Sequence, residues 1–334
     1  MSLVKKYLNP QNDVAFKRIF GTEKNKDILI AMLNAVLKNQ LHTPITVVSF
    51  LSPFQEPEAL AKKQSVVDVL CRDADGCQYI IEMQVASAKG FEERAQYYAS
   101  KAFINQLNEG EGYHDLKEVI FLAFCNFSIF PEKKDFKSEH VTLDKKTGEN
   151  NLDKLSFTFI DLVKFDENRT KAVNELTLEE KFYYFLRHAP AMNDEALHEL
   201  IGNDKIIKKA FYELERFGWS EMEIRRYEQE DKRVRDNKAV LLQAIDEGIK
   251  KGMEEGVKAG VKAGKKKGEE IGMEKGIKAG KKKGEEIGIE KGKKEEKVEI
   301  ARNLLLQGVD AKIIEKSTGL SRQSIEQIKR ELEN

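Results

Sequence analysis

The sequence predicts an α/β fold in which a mixed β-sheet is flanked by helices. Apolar residues recur at helical spacing between positions 13 and 37, β-branched runs bracket a hairpin at 66–85, and a helical pattern over 91–107 precedes the apolar run 119–124. Helices, strands and a helix ahead of a buried strand are typical of an α/β core. The 334 residues are enough for about two average domains.

Each element of this core follows from its own local pattern. Gly21 interrupts the first helical segment, so we expect two short helices there. Residues 45–51 carry β-branched side chains and predict a strand that leads into Pro53. The run 119–124 is almost wholly apolar, which is typical of a strand buried in the centre of a sheet.

The hairpin at 66–85 carries the candidate site. Its second strand places Glu82 and Gln84 on one face, because residues two apart share a face. If residues 74–76 form a three-residue connection with glycine in the left-handed conformation, Asp68 lies directly opposite Glu82. A two-residue turn would instead direct Asp68 to the other face.

Two opposed carboxylates in this hairpin would favour a metal ion. Opposed positions hold their Cβ atoms about 4.5–5.5 Å apart. Carboxylates that close repel each other unless a cation lies between them, and hard oxygen ligands suit Mg²⁺ completed by water and a substrate phosphate. The hairpin by itself is equally compatible with acidic side chains that only face water.

Asp68 followed by Glu82-Met83-Gln84 resembles the D…(D/E)XK signature of PD-(D/E)XK nucleases. More narrowly, it resembles the D…ExQ form of the recombination-promoting nuclease (Rpn) family, whose members are often labelled transposases. Further segments agree with this family in the expected order, at 12–21, 94–98, 119–124 and 159–165. The resemblance covers residues 10–170 and implies a restriction-endonuclease-like core.

The resemblance implies an Mg²⁺-dependent DNA endonuclease linked to recombination or mobile elements. Asp68 and Glu82 would be the metal ligands, and Gln84 would occupy the position where the superfamily usually has lysine. Glutamine is neutral and can only hydrogen-bond. Arg94 and Tyr98, four apart on a helix, would add positive charge and a hydroxyl group beside the phosphate. Without the resemblance, Arg94 would be interpreted as a solvated arginine and Tyr98 as a half-buried tyrosine.

A second pair spaced by four residues lies in the first helix. The resemblance makes Asp13 and Lys17 candidate contributors to metal or phosphate binding. A simple intrahelical ion pair is the alternative interpretation.

The composition indicates where in the cell the protein is expected and whether disulfides or a zinc site are expected. Charged residues make up 34% of the chain, no apolar run approaches the ~20 residues of a membrane span, and the first residues lack the apolar core of a signal peptide. We therefore expect a cytoplasmic protein without membrane contact. Cys71, Cys77 and Cys125 are odd in number and form no CxxC pair, so neither disulfides nor a zinc site is predicted.

The chain is expected to have four parts. These are a nuclease domain (1–175), an accessory helical region (176–247), a glycine-, lysine- and glutamate-rich tract (248–297) and a helix-turn-helix-like segment (298–334). The tract holds sixteen lysines against ten glutamates, which leaves residues 1–247 net acidic. The tract could therefore supply affinity for nucleic acid. A solvated segment without that role is the alternative.

In the tract, glycine occupies every fourth position from Gly248 to Gly292, and residues 262–277 and 278–293 are near-identical copies. Relative to alanine, twelve glycines would lower the stability of a helix by on the order of 12 kcal/mol. Because a four-residue step drifts by ~40°, the glycines also wind around a straight helix. We expect a partly helical, flexible tether through which the protein associates weakly with other copies as a homo-oligomer.

The last segment predicts three short helices separated by Gly308 and by the turn at 318–321. Residues 321–324, at the start of the third helix, would then face a DNA major groove. A helical cap or a protein-binding hook is the alternative. For the whole protein, the alternative to an endonuclease is a catalytically weak nuclease-fold protein that acts as a DNA-binding or assembly module through its tail.

Overall fold

The computed structural model describes residues 6–55, 65–108 and 110–333. The chain divides into two compact units, Met1–Ala239 and Val240–Asn334. No helix in the described part of the chain is both long enough and apolar enough to cross a membrane.

The first unit is built on a mixed six-stranded sheet with the strand order β1-β4-β5-β6-β8-β7. β5, β6 and β8 run parallel to one another, and the remaining pairs are antiparallel. A separate antiparallel pair joins β2 to β3. The strands are β1 Val48–Phe50, β2 Phe54–Gln55, β3 Ser65–Val66, β4 Val69–Asp73, β5 Gln78–Gln84, β6 Val119–Cys125, β7 Lys137–Thr142 and β8 Leu152–Asp161. The predicted mixed α/β architecture is confirmed.

The α-helices are α1 Asp13–Phe20, α2 Lys26–Val36, α3 Phe91–Ile104, α4 Leu162–Asn168, α5 Leu178–His188, α6 Asp194–Ile201, α7 Lys205–Leu214, α8 Glu221–Leu306, α9 Ala311–Thr318 and α10 Arg322–Glu333. The break at Gly21 separates two helices as predicted. The helix predicted over 91–107 is present and ends three residues earlier, and the strand predicted over 45–51 is reduced to β1.

The two faces of the sheet pack against different helices. Alternate residues of β5, such as Ile81 and Met83, lie in a core shared with α1, α2, α5 and α7. Ile80, on the opposite face of β5, packs with buried residues of α3 such as Ala95 and Ala99. Because side chains alternate along a strand, Glu82 and Gln84 share the α3 face with Ile80.

The β4–β5 hairpin has the three-residue connection, one of the two turns that the sequence left open. The Asp73 amide donates to the Cys77 carbonyl at 3.0 Å, and Gly76 has a φ of 89°. Positive φ is readily available to glycine because it has no Cβ. The register pairs Val69 with Ile81, which carries Asp68 to the position across from Glu82. Asp68 itself lies in a bend immediately before β4.

The helices that follow residue 175 belong to the same core as the sheet. Phe182 and Tyr183 of α5 and Phe211 of α7 are fully buried in the cluster that also contains Met83. The boundary expected at 175 is therefore not where the compact unit ends, since the unit extends to Ala239. The aromatic side chains of this region complete the core, and they do not form a separate helical accessory.

The glycine-rich tract is helical throughout, so the expectation of a partly helical tether is wrong in its secondary structure. α8 includes every residue from 248 to 297. The residues between the glycines are mainly lysine and glutamate, which favour helix, and ion pairs such as Lys278–Glu274 (3.0 Å) span single turns. A Cβ added at any of the twelve glycines would meet no atom within 4 Å beyond the helix itself.

The second unit ends in the three helices predicted from the sequence. Ala301, Ile314 and Ile325 are buried among the end of α8, α9 and α10. Gly308 and Gly319 adopt positive φ at the two connections, as expected for residues that follow a helix end. Ile313, next to buried Ile314 on α9, is 60% exposed.

Candidate active site

Glu82 is a buried carboxylate near the end of a central strand. Only 4% of the residue is exposed, because β4, β6 and α3 surround it. Its Oε1 accepts a hydrogen bond from the Asp68 amide at 3.2 Å. Its Oε2 accepts from Nε2 of Gln84 at 2.8 Å. Both carboxylate oxygens are thereby held in place by the hairpin that contains them.

Asp68 reaches Glu82 because the chain leaves the hairpin ladder at this point. Odd-numbered residues of β4 and β5 form the hydrogen-bonded pairs, so a regular ladder would bring the Met83 amide to the carbonyl of residue 67. The Val67 amide instead bonds to the Pro53 carbonyl at 3.1 Å. Oδ2 of Asp68 accepts the Met83 amide at 2.8 Å. The Asp68 carboxylate thus takes the place of a ladder carbonyl, directly beside Glu82.

Gln84 connects Glu82 to an arginine on α3. Its Oε1 accepts a hydrogen bond from Nη2 of Arg94 at 2.8 Å. The guanidinium carbon of Arg94 lies 4.9 Å from the ring centroid of Phe91 and 5.9 Å from that of Tyr98. Nε of Arg94 is buried and has no hydrogen-bond partner within the described ranges. Arg94 is therefore fixed by stacking and by Gln84, and Tyr98 contributes its ring to that stacking.

Lys17 and Asp13 bring the first helix to the same place. Nζ of Lys17 lies 2.7 Å from Oδ1 of Asp13 and 3.8 Å from Oδ1 of Asp68. The helix begins here because Oδ1 of Asn12 caps it by accepting the Val14 amide at 3.0 Å. The structure therefore brings all seven residues of the sequence-based candidate set together. Those residues are Asp13, Lys17, Asp68, Glu82, Gln84, Arg94 and Tyr98.

Burial raises the pKa of both Asp68 and Glu82 above the usual range of carboxyl groups. The negative charge of Asp68 raises the pKa of Glu82 further, whereas Arg94 opposes this rise. Burial opposes the charged form of Lys17, but Asp13, Asp68 and Glu82 together raise its pKa. The two carboxylates therefore ionise at a cost that a bound cation would remove.

The donor set of the site fits Mg²⁺. Within the described ranges, no cluster of three or more histidine, cysteine, aspartate or glutamate side chains has a metal-binding arrangement. Asp68 and Glu82 are two hard oxygen ligands, and Mg²⁺ is commonly held by one or two carboxylates while it keeps several waters. Water and a substrate phosphate would complete the coordination.

Sequence reasoning missed two polar residues next to the end of β5. The Asn126 amide donates to the Gln84 carbonyl at 2.8 Å, directly after β6. Nη1 of Arg187, on α5, donates to Oδ1 of Asn126. The position of Asn126 after a buried parallel strand is a signal that could have identified it. Arg187 lies close to Asn126 because of the way α5 packs, and no local sequence pattern predicts that packing.

Taken together, the mixed six-stranded sheet, its flanking helices and the acidic pair of Asp68 and Glu82 at the β4–β5 hairpin are typical of a restriction-endonuclease-like fold. Residues 10–244 match the family model described as PD-(D/E)XK nuclease family transposase, and the chain belongs to this family. The match covers the sheet and the helices that follow it, which agrees with their shared core.

A second family model matches residues 294–330, described as the C-terminal HTH domain of the Rpn/YhgA-like nuclease family. The matched residues contain the end of α8, all of α9 and most of α10. The resemblance to Rpn proteins is thereby confirmed. No curated protein and no solved structure matches the chain significantly.

Proposed function

We propose that the protein is an Mg²⁺-dependent DNA endonuclease that hydrolyses phosphodiester bonds. The observation that carries this proposal is the pairing of half-buried Asp68 with buried Glu82, both with raised pKa values. A stable protein rarely buries two adjacent carboxylates without a compensating cation. Membership of a nuclease family is consistent with this interpretation.

In this mechanism, Asp68 and Glu82 would hold the ion. When bound there, it would supply Lewis-acid polarisation of the scissile phosphate and a lowered pKa of a coordinated water. Gln84 fixes the orientation of the Glu82 carboxylate through its amide group. Arg94 acts through Gln84 as a positioning residue, and the ring of Tyr98 limits the movement of the guanidinium group.

DNA affinity is assigned to the second unit. Arg322 and Gln323, at the start of α10, are exposed, and the family model describes this segment as an HTH domain. In such domains, the N-terminal residues of the recognition helix contact base edges in the major groove. The excess lysines of the tract would add contacts with phosphates that do not depend on sequence.

The cellular role that we infer is cleavage in recombination or in the movement of a genetic element, inside the cytoplasm. Family membership supports this role, since the matching family is described as a nuclease family of transposases. With an Mg²⁺ ion held by the acidic pair, water and a phosphodiester are the only reactants required, so hydrolysis is the reaction we assign to this site.

A plasmid-nicking assay tests the proposed reaction. We expect wild-type protein to convert supercoiled plasmid to open circles with Mg²⁺ and to be inactive in EDTA. Glu82→Gln should abolish nicking. Glu118→Gln is a matched control, because Glu118 is half-buried, also has a raised pKa and accepts a hydrogen bond from Ser156 at 3.0 Å, outside the site. Full nicking by Glu82→Gln would contradict the assignment.

A second candidate function is that of a DNA-binding or assembly module with weak nuclease activity. It is favoured by one observation, the exposed glycines and apolar side chains along α8, such as Met253 and Ile277. If this function is correct, removing the residues after Ala239 changes the oligomeric state measured by light scattering, while DNA affinity stays the same. The endonuclease proposal alone requires no such change.

A further inference from the structure

We propose that Lys17, on the first helix, is a catalytic residue that contacts the scissile phosphate and carries the positive charge that this site needs. The inference rests on the proposed endonuclease function. It assigns to the first helix a role that an intrahelical ion pair alone would not give it.

Hydrolysis of a phosphodiester creates a need for positive charge on the protein. The oxygen of water forms a new bond to phosphorus and loses a proton to solvent. The bond from phosphorus to the leaving oxygen breaks, and that oxygen takes a proton from solvent. Negative charge spreads over the phosphate oxygens in between, and preorganised cations stabilise it. Asp68 and Glu82 carry the opposite charge.

Among the residues that the structure describes, the side chains beside the acidic pair leave few cations for this task. Gln84 is neutral, and both ends of its amide are engaged, with Glu82 and with Arg94. Arg94 is stacked on Phe91, its Nε is buried, and Nη2 is bonded to Gln84. Movement of Arg94 toward a substrate would break that bond and leave the Gln84 oxygen without its donor.

Lys17 differs from Arg94 in each of these respects. Its side chain is 37% exposed, so the ammonium group can meet an incoming ligand from water. It lies 3.8 Å from Asp68, within the reach of a group bound to that carboxylate. Lysine has a flexible stem and three donors, and Asp13 holds that stem near the site at 2.7 Å without burying it. Lys17 is thus positioned beside the acids and is free to rotate toward a phosphate.

The decisive variant is Lys17→Met, compared with Lys209→Met as a matched control. Lys209 also lies on a helix of the first unit and pairs with a single aspartate, Asp27, at 2.6 Å. We expect Lys17→Met to lower single-turnover cleavage about 100- to 1,000-fold, the range for loss of one charge-stabilising donor. Lys209→Met should cleave as the wild type does.

A second measurement separates catalysis from structure. Mn²⁺ affinity, measured by titration calorimetry without DNA, should be unchanged or tighter in Lys17→Met, because a positive charge next to Asp68 has been removed. A merely structural role would weaken metal binding and lower the melting temperature together. Lys17→Arg keeps the charge, and we expect it to retain more cleavage than Lys17→Met.

An experiment that moves the positive charge from position 17 to position 84 completes the test. Gln84→Lys in the Lys17→Met background restores an ammonium group beside Glu82, and we expect at least a tenfold recovery of cleavage. Wild-type cleavage by Lys17→Met, while Glu82→Gln is inactive, overturns this inference and leaves the proposed function intact. Full cleavage by Glu82→Gln overturns the proposed function itself.

Discussion

Replacing Asp68 with asparagine removes one charge from the acidic pair and keeps the shape of the side chain. The asparagine oxygen can still accept the Met83 amide that Asp68 accepts at 2.8 Å. At about 5 Å and an effective dielectric constant of about 20, the repulsion between two carboxylates is about 3 kcal/mol. Lys17 offsets part of this repulsion. The offset is incomplete, because Lys17 also pairs with Asp13 and 37% of the Lys17 side chain is exposed to solvent. We therefore expect the metal-free variant to gain about 1–3 kcal/mol in its free energy of unfolding.

Mg²⁺ should reverse this order of stability. A ligand present at 100 times its dissociation constant stabilises the folded state by about 2.7 kcal/mol. At about 2–4 °C per kcal/mol, the melting temperature of the wild type should rise by roughly 5–10 °C. Asp68→Asn should respond little, because it has lost one of the two anionic ligands.

Fluorescence of Trp219 provides the assay. It is the only tryptophan in the sequence and is buried in the first unit, so its signal reports the unfolding of that unit. Melting curves in EDTA and in Mg²⁺ are compared for wild type, Asp68→Asn and Asp194→Asn. Asp194 pairs with Lys6 at 2.7 Å and is 79% exposed, which makes it a control for the loss of an acid outside the site. An equal Mg²⁺ response in wild type and Asp68→Asn would refute the reasoning.

Further outcomes follow from the same structure. Burial raises the pKa of Asp68 and Glu82. At pH values above the usual pKa of carboxyl groups, the folded state therefore binds more protons than the unfolded state. The stability of the metal-free protein should therefore fall as pH rises through the raised pKa values, while Mn²⁺ affinity, measured by calorimetry, rises. Gly76→Ala and Gly148→Ala each force a side chain into positive φ. Each should lower the unfolding free energy, measured by denaturant titration, by about 1–2 kcal/mol. Metal affinity should be retained in both variants. Ending the chain at Ala239 should leave cleavage at saturating DNA intact but weaken binding and flatten its salt dependence in anisotropy titrations; complete loss of cleavage by this folded protein would show that the tail contributes to the active site.

The hairpin was predictable because its local rules agree with one another. Strand alternation, a glycine that permits positive φ and a count of three connecting residues together fix the register of Asp68 against Glu82. The sequence does not reveal the bend before β4, where the Asp68 carboxylate replaces a ladder carbonyl. That bend depends on a hydrogen bond from the Val67 amide to the Pro53 carbonyl, between residues that flank the β2–β3 pair and are distant in the sequence.

The domain boundary and the tract were harder to predict, for different physical reasons. Helix α5 carries apolar residues on one face, and its sequence does not say which surface that face covers. In the structure, Phe182 and Tyr183 cover the sheet core, which extends the unit far beyond residue 175. For the tract, the summed cost of the glycines was the wrong measure, because it left out the helix-favouring residues between them.

The central claim is that Asp68 and Glu82 together hold one divalent ion. Electron paramagnetic resonance of Mn²⁺ counts the bound ions directly, since free Mn²⁺ gives a sharp signal that decreases when the ion binds. The account predicts one bound ion for each chain in the wild type, and none at the same concentrations in Asp68→Asn or Glu82→Gln. Undiminished Mn²⁺ binding by both variants would contradict it.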